Sequence, residues 1–399
     1  MKKLLSLLLA LMMLLCTACG TKEVENTPNI YTDITGVAAD ETVMTVGEIE
    51  IPADMFFYWV NTIAKEAEAY YRQYSYYYGQ YSYLLNTDGT LNWDAAYMQS
   101  MTVGDAIRAQ AMEQLAFFVI SEKLAKSYDL ALTEAHYVEI GATIEKNLDT
   151  YTEKLIEEDA ANEALTREEV EDKYFYNLGA TRSTVERMMT ITYLQQLLVE
   201  QMMTEGSPLF ITEAGYNDIA FYADHILIAT VDLTTGLSLS PDQLAEKQAL
   251  AEDILRRLQS AEDPATVFGT MADMYSEDTG RKSYPTGYIF TPGTMVAEFE
   301  DAVAELEPGE ISGLVKSTYG YHIILRRDLM EGLEKDYPEE KSKLAEEYLN
   351  TLIESIIVNS TVSTTDALNG IKLGEVYSAY MERTGQSVAK SNDVVISEK

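Results

Sequence analysis

The chain has 399 residues, a formal net charge of -36 at neutral pH and a hydrophobic content of 47%. A chain of this length can form two or three domains, each with its own core. Binding to a phosphate backbone needs lysine and arginine gathered on one face, so 65 acidic against 29 basic residues argue against a nucleic-acid partner.

Residues 1–18 are predicted to be a lipoprotein signal peptide. An apolar run over residues 4–15 follows two lysines. The run is shorter than the roughly 20 residues of a membrane-spanning helix and is typical of a signal-peptide core. Small residues then precede Cys19, which resembles a bacterial lipobox and implies lipidation of that cysteine; an ordinary secretory signal is the alternative. With Cys16 removed and Cys19 acylated, no thiol would remain for a disulfide, a metal site or a nucleophile.

The next part of the chain is predicted to be a linker and then a helical domain. Residues 19–37 are polar and are assigned to the linker, and residues 38–215 to the first part of the helical domain. Short strands are expected on either side of Gly47, followed by a helix after Pro52. Apolar residues then recur at helical spacing from residue 103 to residue 203, with no strand pattern between them.

The segment YYRQYSYYYGQYSY contains eight tyrosines. Four of them fall on one face of the predicted helix, namely Tyr70, Tyr74, Tyr77 and Tyr81. Tyrosine offers a wide contact area at a small entropic cost, so one interpretation is a binding surface for unfolded chains. The favoured interpretation is that the rings cover a neighbouring helix, because aromatic stripes at helical spacing usually face a core.

Residues 216–328 are predicted to form a compact α+β domain. A strand at HILIATV, two helices, a shorter helix at MVAEFEDAV and two final strands follow one another. An amphipathic helix within residues 329–383 is expected to pack back on the helical domain, and residues 384–399 are expected to be disordered. The predicted fold class is therefore multidomain, with a small α+β domain inserted into a mainly helical one.

Five short motifs in the α+β region carry a family resemblance. They are His225 to Leu227, Phe268 to Ser276, Met295 to Ala302, Gly309 to Ser312, and Gly320 to Ile324. In this order and spacing they resemble the parvulin-type (rotamase) peptidyl-prolyl isomerase domain. The lipobox pattern and the helical segments on both sides are similar to PrsA-type foldases, whose helical part resembles the SurA chaperone domain.

The resemblance implies roles for six residues, three catalytic and three substrate-binding. The catalytic set is His225, Asp278 and His322. The substrate-binding set is Met295, Phe299 and Tyr319. Met295 and Phe299 are four residues apart and would share one face of a helix as the proline pocket. Each residue taken alone has an alternative interpretation as an ordinary core or turn residue, and their joint occurrence in family order favours the site.

Prolyl isomerisation suits side chains of these types. The prolyl peptide bond rotates slowly because resonance gives its C–N bond partial double-bond character, with a barrier of about 20 kcal/mol. A pocket that holds the proline ring, together with groups complementary to the twisted amide, lowers that barrier. The reaction requires neither a metal nor a cofactor, and we expect none.

The sequence predicts an extracytoplasmic foldase, lipid-anchored to the bacterial cell membrane at Cys19, that isomerises X-Pro bonds in unfolded or newly exported polypeptides. The alternative is a holdase chaperone with a weak or inactive parvulin domain. It is favoured by the segment SYPTGYIF, which keeps only Gly287 of the Gly-Gly-x-Leu-Gly pattern of active parvulins. No basic cluster lies near the predicted pocket, which argues against phosphorylated substrates. The clients, and a homodimer in which two helical domains hold one client, are left open.

Overall fold

The computed structural model describes residues 29–98 and 100–385, except for the side chain of Tyr78. The helices of more than five residues are α1 (Ile30–Thr35), α2 (Ala53–Tyr78), α3 (Val103–Ser127), α4 (Glu134–Glu158), α5 (Arg167–Leu178), α6 (Arg182–Met203), α7 (Glu213–Ile219), α8 (Pro241–Gln259), α9 (Pro264–Tyr275), α10 (Ala297–Glu305), α11 (Glu340–Val358) and α12 (Leu373–Arg383). The strands are β1 (Thr42–Val46), β2 (Ile49–Pro52), β3 (Ala96–Met98), β4 (Met101–Thr102), β5 (Phe221–Ala229), β6 (Tyr288–Phe290), β7 (Val315–Lys316), β8 (Gly320–Arg326) and β9 (Val362–Thr364).

The chain divides into two compact units, with boundaries at residues 198/199 and 351/352. The outer segments form the first unit and the segment between them forms the second. These boundaries fall inside α6 and α11, whereas the sequence predicted them at residues 215/216 and 328/329. Each boundary lies inside a continuous amphipathic helix, whose composition does not change where one unit ends. The hydrophobic pattern therefore gives no signal for the position of either boundary. The predicted signal peptide, Cys19 and residues 386–399 lie outside the described residues.

The first unit is mainly helical and uses both ends of the chain. Helices α2 and α3 pack together, and the ring of Trp59 lies 5.4 Å from that of Phe118. A small sheet has the order β2-β1-β9, in which β9 pairs antiparallel with β1. Helix α12 contacts α1, α2 and α3. The predicted fold class, a helical domain interrupted along the chain by a small α+β domain, is confirmed.

The predicted linker of residues 19–37 differs from the structure in its last part. Helix α1 starts after Asn29, whose side-chain oxygen accepts hydrogen bonds from the N–H groups of Tyr31 and Thr32 and so caps the helix. Ile30 and Tyr31 are buried, and the Tyr31 ring stacks on Tyr380 of α12. The linker prediction is therefore wrong from residue 29 onward, because a six-residue helix is too short to show a period.

The tyrosine-rich segment is more exposed than the favoured interpretation requires. The rings of Tyr70 and Tyr74 lie 4.4 Å apart, and Tyr81 packs 6.2 Å from Tyr70. Tyr76 and Tyr77 are nevertheless 82% and 54% exposed. The expectation that these rings cover a neighbouring helix is therefore wrong for the exposed members, which contact each other and solvent.

Asp54 connects the start of α2 to the start of α6. Its carboxylate accepts hydrogen bonds from the Thr181 N–H group at 3.0 Å, from the Thr181 hydroxyl at 2.8 Å and from the Thr184 hydroxyl at 2.6 Å. Desolvation by burial raises the pKa of Asp54, and these hydrogen bonds partly offset that effect. The carboxylate is thus both costly to bury and well bonded.

We expect Asp54→Ala to lower the free energy of unfolding of the first unit by about 2 kcal/mol, because buried donors lose their acceptor. Trp59 and Trp93 are the two tryptophans of the chain and both belong to this unit, so tryptophan fluorescence during guanidinium denaturation reports it selectively. Asp149→Ala is the control, since its carboxylate is exposed and pairs with Arg167 at the surface. Equal losses in the two variants would contradict the prediction.

The second unit is built on a four-stranded antiparallel sheet with the order β6-β5-β8-β7. Helices α8 and α9 cover one face, where Ile226, Phe268 and Ile323 are buried. Helix α10 covers part of the other face, where Phe299 and Ile324 are buried. Strand β6 was not predicted, since three residues are too few for an alternating pattern.

Candidate active site

Strands β5 and β8 bring two of the three histidines of the chain together. Leu227 of β5 pairs with His322 of β8, so His225, two residues before Leu227, shares its face of the sheet with His322. The ring centroids of His225 and His322 lie 5.3 Å apart. The Nδ1 atom of each ring is buried and has no hydrogen-bond partner among the described residues.

Burial favours the neutral form of both imidazoles. Desolvation lowers the pKa of His322 to about 4, and the neighbouring His225 contributes to the lowering. Desolvation also lowers the pKa of His225, against the opposing effect of Asp278. The His322 Nε2 atom lies 2.7 Å from the Ser317 hydroxyl, and either can donate, depending on the tautomer. Near neutral pH the pair therefore acts as uncharged hydrogen-bonding groups.

Asp278 lies in the turn that follows α9. Its Oδ2 atom is 3.9 Å from His225 Nε2 and accepts a 2.5 Å hydrogen bond from the Tyr288 hydroxyl. Its Oδ1 atom accepts a hydrogen bond from the Gly280 N–H group at 3.1 Å. Asp278 therefore caps a turn before Gly280, which was the alternative interpretation, and also borders the histidine pair.

Phe299 and Met295 form the apolar side of the site. The Phe299 ring is buried and lies 5.3 Å from the His225 ring and 5.6 Å from the His322 ring. Met295 packs against the same cluster. Because α10 begins at Ala297, however, Met295 precedes the helix, and the expectation that the two residues share a helix face is wrong. The Met295 N–H group instead donates to Glu300 Oε1 at 2.7 Å.

Tyr319 lies in the turn between β7 and β8 and is 49% exposed. Its N–H group donates to the Ser317 hydroxyl at 3.1 Å, and its carbonyl accepts from the Thr230 N–H group at 2.9 Å. Among the described residues no aromatic contact joins the Tyr319 ring to either histidine. Tyr319 is thus connected to His322 through Ser317.

Arg281 anchors the loop that carries Asp278. Its guanidinium forms ion pairs with Asp224 at 2.7 Å and Asp273 at 2.8 Å, and it donates to the Gly269 carbonyl at 3.2 Å. The side chain is largely buried in these contacts. This cation is therefore already paired within the second unit.

The segment SYPTGYIF, which departs from the glycine pattern of active parvulins, ends in β6. Gly287 has a φ of 107°, and a Cβ atom there would overlap the carbonyl oxygen of Ala223, so glycine is required at this point. The next residue, Tyr288, lies nearly parallel to the His225 ring with centroids 5.9 Å apart. Sequence reasoning missed Tyr288 and Ser317 as neighbours of the histidines. The only sequence signal for Tyr288 was the adjacent Gly287. The only signal for Ser317 was its position three residues before the Gly-Tyr-His motif.

The described residues contain no group of three or more His, Cys, Asp and Glu side chains that could hold a metal ion. Within residues 29–98 and 100–385, no helix is long and apolar enough to cross a membrane.

Comparison with known proteins places the family resemblance on the second unit. Residues 225–328 match the rotamase family model, described as a PPIC-type PPIASE domain. The foldase protein PrsA 4 of Bacillus cereus is 43% identical over 106 residues, which are 26% of this chain and 35% of that protein. The foldase protein PrsA of Halalkalibacterium halodurans is 31% identical over 209 residues, which are 49% of this chain and 56% of that protein.

The chain thus spans between about a third and just over half of the length of these relatives. A crystal structure of the peptidylprolyl isomerase PrsA from Bacillus cereus is 21% identical over 73% of this chain and 98% of that chain. Its TM-score is 0.26, too low to support a statement about shared structure. The residues that match the family model include His225, Asp278 and His322. Residues 225–328 are therefore a parvulin-type domain, in a chain that is similar to the PrsA foldases.

Proposed function

We propose that this protein is an extracytoplasmic foldase that catalyses cis-trans isomerisation of X-Pro peptide bonds in unfolded or newly exported polypeptides. The observation that carries the proposal is the meeting of the His225 and His322 rings with the Asp278 carboxylate and the Phe299 ring on one face of the sheet. The match of residues 225–328 to the PPIC-type PPIASE domain supports it.

The proposed mechanism uses side chains of the second unit alone. The substrate proline lies against Phe299 and Met295, which hold the ring while the residue before it rotates. The planar amide carries partial negative charge on its oxygen through resonance, and the Asp278 carboxylate beside the carbonyl disfavours that charge. His225 and His322, being neutral, bond the substrate amide, while the Asp278 carboxylate is held by hydrogen bonds of its own. Loss of resonance weakens the C–N double-bond character and lowers the barrier.

We propose further that the protein works at the outer face of the bacterial cell membrane. The signal-peptide pattern of residues 1–18 and the lipobox-like environment of Cys19 support a lipid anchor. One lipid chain binds a membrane only marginally, so stable anchoring at Cys19 would need a second acyl chain or another membrane contact. Mass spectrometry of the membrane fraction checks this, since an unmodified Cys19 would contradict the anchor.

A second candidate function is a holdase chaperone whose parvulin domain binds proline segments without turnover. Two observations favour it. The segment from Ser283 to Phe290 departs from the glycine pattern of active parvulins. The first unit also carries strongly exposed tyrosines, Tyr76 and Tyr77, of the kind that bind varied chains.

The decisive experiment measures isomerisation of a short unphosphorylated X-Pro peptide by the chain from Gly20 onward. We expect turnover that falls about tenfold or more in Asp278→Asn, equivalent to about 1.4 kcal/mol, because asparagine keeps the shape and removes the charge. Met295→Ala should raise KM, because it opens the proline pocket. Asp301→Asn, an exposed aspartate on α10, is the control.

Two outcomes separate the candidates. Catalysis that is lost in Asp278→Asn and kept in Asp301→Asn supports the isomerase. The other outcome is that the parent protein does not accelerate isomerisation of the peptide but still suppresses aggregation of an unfolded client. That outcome supports the holdase and contradicts the isomerase.

A further inference from the structure

We propose that the Tyr288 hydroxyl is the group that positions the Asp278 carboxylate for isomerisation, and that Gly280 provides the space in which this hydroxyl lies. The inference rests on the proposed function of the site, because it assigns a role within that reaction. It concerns a residue that none of the five family motifs includes.

Both oxygens of the Asp278 carboxylate are held, one by each of two donors. Oδ1 accepts from the Gly280 N–H group and Oδ2 accepts from the Tyr288 hydroxyl at 2.5 Å. His225 Nε2 lies 3.9 Å from Oδ2, which is beyond hydrogen-bond length. Among the described residues the tyrosine hydroxyl is thus the one donor that fixes Oδ2, and the carboxylate plane is set without the histidine.

The backbone fixes the direction of the Tyr288 side chain. Tyr288 begins β6 and pairs with Ala223 of β5, so the ring rises from the same sheet as His225. It then lies nearly parallel to the imidazole, with an angle of 24° between the planes. Desolvation raises the pKa of Tyr288, with the neighbouring Asp278 acting in the same direction. The phenol therefore stays protonated and acts as a donor to the carboxylate.

Gly280 gives an independent indication that the hydroxyl position matters. A Cβ atom at residue 280 would overlap the Tyr288 hydroxyl oxygen and would lie 3.3 Å from Cζ. Its φ lies outside the left-handed region, so the backbone itself does not demand glycine there. The absence of a side chain at residue 280 is therefore explained by the room that the tyrosine hydroxyl occupies.

Removing the hydroxyl should act on the rate and leave substrate binding nearly unchanged. Without this donor, Oδ2 has no hydrogen bond among the described residues and the side chain is held only through Oδ1, so it can rotate about its Cα–Cβ bond. The negative charge is then less often beside the substrate carbonyl when the amide twists. The proline pocket of Met295 and Phe299 keeps its contacts, so KM should change little.

The test is a double-mutant cycle in the chain from Gly20 onward. Tyr288→Phe and Gly280→Ala should each lower kcat about fivefold or more with KM within about twofold, a split that a general loss of structure would not produce. The double variant should be no slower than either single variant, because phenylalanine has no hydroxyl for the added methyl group to displace. Tyr321→Phe is the matched control, since that hydroxyl bonds Gln248 on the opposite face of the same sheet.

A kcat that is unchanged in Tyr288→Phe, or additive losses in the double variant, would overturn the inference. An NMR measurement decides the matter even if the parent proves not to be an isomerase. The 13C chemical shift of the Asp278 carboxyl carbon, which responds to the hydrogen bond at Oδ2, should change in Tyr288→Phe and stay the same in Tyr321→Phe. An unchanged shift in Tyr288→Phe would show that the hydroxyl does not position the carboxylate, whatever the activity of the parent.

Discussion

The second unit is expected to lose about 3 kcal/mol of its free energy of unfolding between pH 6.5 and pH 4 through His322. Burial lowers the pKa of His322 to about 4 in the folded unit, whereas an unfolded histidine has a pKa of about 6.5. Within this range the unfolded chain binds a proton that the folded unit excludes. The stability that depends on a neutral His322 is fully present above the pKa of the unfolded chain. It is lost as the pH falls to the pKa of His322 in the folded unit. The lowered pKa of His225 acts in the same direction.

Comparison with His322→Gln isolates this effect from the titration of carboxylates. Glutamine can still bond the Ser317 hydroxyl but does not titrate. Amide hydrogen exchange of β5 and β8 at neutral pH and at about pH 4.5 should show a shallower decline in the variant than in the parent. His136→Gln changes a histidine of the first unit and should leave the decline of the second unit unaltered. Parallel declines in parent and His322→Gln would refute the prediction.

Gly320→Ala should destabilise the second unit by about 3 kcal/mol or more, because no small shift relieves the overlap it creates. Gly320 has a φ of 153°, and a Cβ atom there would overlap the Ile228 carbonyl oxygen and lie 2.9 Å from the Ala229 Cα atom. These are backbone atoms of β5, the strand that pairs with β8. Relief of the overlap therefore requires the two central strands to separate.

Gly313→Ala is the matched control for this substitution. Gly313 lies in the same unit, has no left-handed φ, and a Cβ atom there would meet no heavy atom within 4 Å. Amide exchange of the β5 and β8 hydrogen bonds should accelerate strongly in Gly320→Ala and hardly at all in Gly313→Ala. If both variants kept the protection of the parent, the close strand approach at Gly320 would not be a constraint on stability.

The arrangement of the candidate site could be predicted largely from sequence because its motifs lie on regular elements. The His-Ile-Leu motif falls in β5 and the Gly-Tyr-His motif in β8, and the structure brings His225 and His322 together. Phe299 falls on α10 beside them. Strands of seven or nine residues with an alternating or apolar pattern contain enough positions for a period to be recognised.

The features that could not be predicted depend on short elements or on contacts between distant residues. Strand β6 has three residues, and without its pairing to β5 nothing in the sequence connects Tyr288 with Asp278. Met295 precedes α10 because the helix begins two residues later than the four-residue spacing suggests. The tyrosine stripe has a helical period whether its rings meet another helix or water, so periodicity alone cannot distinguish the two.

The pairing of β9 with β1 sets an order in which the two units can fold as the chain is synthesised. Thr45 and Ser363 share a hydrogen bond across 318 positions of sequence, whereas β5 and β8 lie within about a hundred residues of each other. Closing a longer loop costs more entropy and must await the last segments to appear. The central domain can therefore complete its sheet while the flanking one still lacks its third strand. Interruption of synthesis just before β9 would release a chain with a complete sheet in the second unit and an open edge on β1, the kind of edge that invites strand exchange between molecules.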